Sequence, residues 1–171
     1  LTGGDNVFIG TNAGGVTTAA SSLTIIGSAA GSSLITTAAN GTVAIGTSAL
    51  AALTSGANNL AIGYQALDAC NTGSSNIAVG SGTLGATTDG VANVGMGLAA
   101  LGTNVSGNYN TAFGHQALQT FNADVDANNT AVGINAGQAL ATGTDNVAIG
   151  AFAFDAAADT ESNNIAIGSG A

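Results

Sequence analysis

A short phrase ending in glycine returns ten times along this chain, and no other feature constrains its fold as strongly. The anchor glycines are Gly10, Gly27, Gly46, Gly63, Gly80, Gly97, Gly114, Gly133, Gly150 and Gly168, spaced by 17, 19, 17, 17, 17, 17, 19, 17 and 18 residues. The clearest copies read N-x-A-[IV]-G-x-x-A-L, as in NNLAIGYQAL from Asn58 to Leu67. A near-fixed period of this length marks a solenoid, in which each unit buries its apolar surface only against its neighbours. The sequence therefore predicts one continuous array over residues 1–171, with no internal domain boundary. The repeat is cut at both ends, which reads as a segment of a longer fibre protein.

Counting back from each anchor separates two sets of positions. One residue before it stand Ile9, Ile26, Ile45, Ile62, Val79, Met96, Phe113, Val132, Ile149 and Ile167; three before it stand residues such as Val43, Leu60, Ile77 and Val147. Side chains alternate along a strand, so these share one face. Their bulk predicts that this face is the solenoid core. The opposite face carries Ala two before the anchor (Ala44, Ala61, Ala78, Ala112, Ala131, Ala148 and Ala166) and mostly Asn four before it. Stacked Asn side chains form amide ladders between rungs.

An anchor glycine that never varies among ten copies implies a backbone need, either positive φ or the close approach of another backbone. Ala follows three residues later in nine copies, and Leu or Phe often comes next, which predicts a second short strand. A further glycine often lies seven before the anchor, at Gly3, Gly56, Gly73, Gly90, Gly107 and Gly143. The copies of unusual length lack it, so their extra residues are expected to bulge at that turn. A helical reading fails despite the abundant Ala, because two or three glycines per repeat each cost about 1 kcal/mol in a helix. The predicted class is all-β: a β-solenoid, or parallel β-roll, of about ten short rungs.

Ten rungs at about 4.8 Å make a stack roughly 48 Å long. An Ala strip of that length would approach about 500 Å², the upper end of what monomers expose. Near-exclusive Ala and Gly also imply a neighbour too close for larger side chains. The Ala face is therefore expected to be an oligomer interface, with a trimer as the favoured state. Phe8 and Ile25 break the small-residue rule and are expected to plug or widen the first two rungs.

Composition removes several function classes. The chain has no Lys or Arg and nine acids, for a formal net charge of −9. Phosphate neutralisation by nucleic-acid-binding proteins needs the missing cations, so no nucleic-acid partner is expected. No apolar run is long enough for membrane insertion. Cys70 is the single cysteine and reads as a small packed thiol.

No catalytic constellation is evident, and neither cofactor nor enzymatic activity is expected. Asp124, Asp126 and Asn128 form D-x-D-x-N, half of a calcium loop. Asn129 and Asn135 stand where such a loop needs Gly and Glu, so a solvated turn is the preferred reading and calcium only a candidate. His115 follows an anchor at a variable position expected to face outward. With no second His it makes neither a triad nor a zinc site.

The copies NVAIG (Asn146–Gly150), GTVAIG (Gly41–Gly46) and NIAIG (Asn164–Gly168) resemble the head repeats of trimeric autotransporter adhesins. The longer forms NNLAIGYQAL and NYNTAFGHQAL (Asn108–Leu118) are similar to repeats of phage and viral tail fibres and bacterial surface proteins. The resemblance implies a left-handed roll with three chains packed along an axis. It also implies a non-enzymatic, extracellular structural or adhesive segment of a tail fibre, virion fibre or cell-surface adhesin. The expected partners are other copies of the chain and a host-surface glycan or receptor. Two alternatives remain: a homopolymeric filament subunit, and an ice- or surface-binding solenoid using the flat face.

Overall fold

A computed structural model of the chain describes residues 3–33, 35–155 and 160–171. Ten three-residue strands stand side by side: β1 (Val7–Ile9), β2 (Thr24–Ile26), β3 (Val43–Ile45), β4 (Leu60–Ile62), β5 (Ile77–Val79), β6 (Val94–Met96), β7 (Thr111–Phe113), β8 (Thr130–Val132), β9 (Val147–Ile149) and β10 (Ile165–Ile167). They form one sheet in chain order, and every pair is parallel. Parallel neighbours in chain order require a full coil between them, so the fold is a β-solenoid of about nine turns. The register superposes repeat on repeat: Ala44 lies beside Ala61, and Ala61 beside Ala78.

The two faces of the sheet are the reverse of the sequence expectation. Ala44, Ala61, Ala78, Ala112, Ala131 and Ala148 are buried within the single chain, and Ala166 packs partly buried against the same core. The bulky residues one and three before the anchor point outward. Ile62 is 37% exposed and Phe113 39%, whereas Ala61 and Ala112 between them are 0%. The small residues do mark a close neighbour, but that neighbour is the chain's own turn. Across the coil from the inner strand position lie the Ala three after the anchor and the Leu four after it. Leu50, Leu67, Leu84, Leu101 and Leu118 fill the core, so only a methyl fits opposite.

On the first two rungs volume is exchanged between strand and turn. Where the strand carries Phe8 or Ile25, the facing turn position is Gly14 or Gly31 instead of Leu. A Cβ on Gly14 would come within 2.9 Å of the Phe8 ring, and one on Gly31 within 3.0 Å of Ile25 Cδ1. Ile25 is fully buried and Phe8 partly so, which makes them interior filling.

The second strand does not form; the stretch after the anchor is made of β-turns, as the two after Gly46 show. Ala49 N donates to Gly46 O at 3.2 Å and Leu53 N to Leu50 O at 3.1 Å. Positive φ two and four residues after the anchor breaks any extended run, as at Gln65 (φ 53) and Leu67 (φ 51). A non-glycine in this region costs about 1–2 kcal/mol, offset here by burial of the leucine. The turns ladder like the strands: Leu50 N donates to Ala66 O, and Leu67 N to Thr83 O, both at 3.0 Å.

The anchor glycine meets both of the needs inferred for it. Gly63 has φ +139 and Gly80 φ +134, a region that excludes L side chains. A Cβ on Gly63 would also lie 2.5 Å from the carbonyl oxygen of Gly80, and one on Gly80 2.6 Å from that of Gly97. The glycines seven before the anchor need only the close approach. A Cβ on Gly73 would meet Gly90 O at 2.6 Å. Two of the longer copies place their extra residues at this corner, one as a 3-10 turn at Thr37–Ala39, the other around the bridge from Asn108 to Asp126. The corner of the third lies partly outside the described residues.

The Asn column forms the predicted ladder, inside the coil. Asn76 N donates to Asn59 Oδ1 at 2.9 Å, Asn93 N to Asn76 Oδ1 at 2.9 Å, and Asn110 N to Asn93 Oδ1 at 3.0 Å. Most of the Nδ2 groups also reach the next coil, as Asn76 does to Gly90 O at 2.7 Å and Asn93 to Gly107 O at 2.8 Å, whereas Asn110 Nδ2 donates back to Asn93 Oδ1. Replacing one Asn removes several buried hydrogen bonds at once. Asn93→Ala orphans Asn110 N, at about 1–3 kcal/mol, and takes one hydrogen bond each from Asn110 Nδ2 and from Gly107 O, which keeps Asn104 Nδ2. A loss of about 2–4 kcal/mol in urea unfolding is expected, and a loss below 1 kcal/mol would remove the ladder from the account.

Candidate interaction face

No pocket opens among the described residues, and no group of three or more His, Cys, Asp or Glu side chains there could hold a metal ion. No helix is long and apolar enough to cross a membrane among the described residues. Most of the exposed large apolar side chains lie on the outward face of the sheet.

Three columns build that face: the residues three before, one before and one after each anchor. The first two hold apolar residues with three Thr among twenty. Exposed large side chains include Ile62, Ile77, Met96, Phe113, Val132 and Ile149. The third column adds exposed Tyr64, Leu98, His115 and Ile134 on the middle rungs. Three columns at strand spacing over ten rungs cover on the order of 600 Å². That lies at the top of the range for monomer patches and near the roughly 800 Å² each partner buries in a stable complex.

Charge is excluded from these columns: none of the nine acids falls in them. The acids lie five to nine residues before an anchor (Asp5, Asp89, Asp124, Asp126, Asp145, Asp159 and Glu161) or five after it (Asp68 and Asp155). At Asp68, burial pushes the carboxyl above its usual range, against the backbone hydrogen bonds of Asp68 and Ala69.

Two of the calcium candidates are engaged by neighbouring coils. Asp126 Oδ1 accepts from Asn108 Nδ2 at 3.0 Å, and Asn128 Nδ2 donates away to Asp145 Oδ1 at 3.1 Å. All three, Asp124 included, are exposed; Asp126 is tied to the coil before and Asn128 to the coil after. His115 is exposed on the outward face, as expected.

Cys70 sits inside the coil, its thiol 3.5 Å from Gly73 O. Burial, and secondarily the charge of Asp89, pushes it up to about 12. The thiolate is the reactive form. Native protein at pH 8 is therefore expected to take up a thiol reagent at under a hundredth of the rate in denaturant. Comparable rates would mean that the interior column is open.

The exposed Ile/Val face is the feature that sequence reasoning missed. A signal for it exists: the position two before the anchor is never polar in ten copies, whereas the position three before admits Thr24, Thr111 and Thr130. No protein-family model, curated protein or solved structure matches the chain, so the role of the face rests on the geometry of these columns.

Proposed function

We propose that this chain is a non-enzymatic structural segment of an extracellular fibre, a phage or viral tail fibre or a bacterial surface adhesin. In this reading it assembles with further copies of itself through the outward Ile/Val face. One observation carries the proposal: an uncharged apolar face, continuous over ten in-register rungs, on a chain whose remaining surface is acidic. Mutual repulsion of the acids disfavours other contacts between copies. A homotrimer with left-handed coils is the state taken from the resemblance of the NVAIG-type repeats. The small inner Ala residues play no part in the interface; their role is to let the coil close on itself. The corner bearing the longer turns stays free for a host-surface glycan or receptor, and repeated copies supply avidity there.

Sedimentation equilibrium at micromolar concentration tests the assembly. The wild type is expected to be oligomeric. Phe113→Asp should weaken association at least 100-fold while leaving circular dichroism and melting nearly unchanged, because it places an unpaired charge in the contact and nothing in the core. A wild type that stays monomeric would sink the proposal.

A further inference from the structure

We propose that His115 makes this self-association pH-dependent: copies hold together at neutral and alkaline pH and separate in mild acid. The inference rests on the reading of the outward face as the surface that meets further copies.

His115 is the only basic side chain in the protein. It stands one residue after its anchor, on the seventh of ten rungs, in the bulkiest part of the face. Its surroundings are apolar: Phe113 on its own rung, Met96 and Leu98 on the rung before, and Val132 and Ile134 on the rung after, with Leu98 and Ile134 in its own column. Its side chain makes no hydrogen bond among the described residues. No carboxylate stands in the three columns of the face, and the one other titratable group in His115's own column is the Tyr64 phenol, three rungs away. A phenol ionises near pH 10, well above the relevant range. A second copy presents the same columns, so it brings further His115 and Tyr64 side chains and no acid.

Imidazole changes charge between about pH 5 and 8. The neutral ring can be covered by apolar side chains at little cost. The imidazolium would be covered without a counter-charge, next to the same cation from another copy. The assembled form therefore binds fewer protons than the separated chains, and association weakens as pH falls. Each such histidine lowers the association constant by up to about tenfold per pH unit below its range, and three in a trimer multiply to about 10³-fold. The nine acids act with the opposite sign. Their protonation reduces repulsion between copies and favours association, so acid-induced separation has its source in the histidine.

The test is sedimentation equilibrium of the full chain at pH 7.5 and 5.5, beside His115→Leu and His115→Gln, with circular dichroism to show that every sample is folded. The wild type is expected to lose at least tenfold in association constant at pH 5.5. Both variants should associate equally at the two values, and His115→Gln shows that charge, not size, is responsible. A wild type equally or more strongly associated at pH 5.5, or variants showing the same loss, would overturn the inference. If no protein associates at pH 7.5, the reading of the face fails and this inference falls with it.

Discussion

Gly80→Ala is expected to cost about 3–6 kcal/mol, enough to unfold a marginal array. Two terms add. The backbone at φ +134 is closed to L residues, at about 1–3 kcal/mol. The new Cβ would also stand 2.6 Å from the carbonyl oxygen of Gly97, so the rungs must part and the ladder between them weakens. The terminal rungs separate the terms. Gly10 and Gly168 share nearly the same backbone, at φ +128 and +130. A Cβ on Gly10 would meet the Gly27 carbonyl at 2.7 Å, whereas one on Gly168 meets only Ala171 Cβ at 3.8 Å. Thermal melting should therefore show Gly10→Ala to be the more damaging of the two. Equal losses would mean that conformation alone fixes the glycine and that stacking adds nothing.

Gly95→Ala and Thr83→Ala are expected to be damaging singly and nearly harmless together. Of the ten copies, one has Gly two before its anchor, Gly95, and one has Thr three after it, Thr83. They face each other across the coil. A Cβ on Gly95 would lie 2.6 Å from Thr83 Cγ2, an overlap worth about 1–3 kcal/mol. Thr83→Ala removes that methyl and one of two hydrogen bonds to Gly97 O, which keeps Ala100 N as a donor, and leaves a void beside Gly95, at about 1–2 kcal/mol. The double variant recreates the Ala–Ala pair that other rungs carry, such as Ala66 with Ala78. A coupling of about 2 kcal/mol toward the wild type is expected from a double-mutant cycle in urea. Additive losses would show that the two residues do not share one space.

These pairs also show how far the sequence alone could be read. The period gave the solenoid, the parallel register and the length of the rungs, because ten copies of one phrase must occupy equivalent places. The anchor's invariance implies positive φ or close approach, and Gly63 shows both at once. The orientation of the strand is the reverse of what side-chain bulk implies. Bulk was equated with interior, a rule that holds when a core is wide enough for large side chains on both walls. Here the turn supplies the volume through Leu50, Leu67 and their equivalents, leaving the strand side room for a methyl. The second strand was lost for a related reason: Leu in a left-handed conformation has no sequence signature comparable to Gly, yet Leu67 at φ 51 occupies the slot that Gly14 and Gly31 take in other rungs. The candidate interaction face is present in the sequence as three acid-free columns, but side-chain bulk points the two before the anchor into the core and leaves only the third, with His115, facing outward.

Which face points outward is decided most directly by thiol labelling of Ala61→Cys and Ile62→Cys, each in a Cys70→Ser background. Ile62→Cys should label like an exposed thiol in dilute solution and become protected as the protein is concentrated and copies associate. Ala61→Cys should label only through unfolding, at the same slow rate at every concentration. Fast labelling of Ala61→Cys with protection of Ile62→Cys in dilute protein would restore the Ile/Val face to the core and contradict the account.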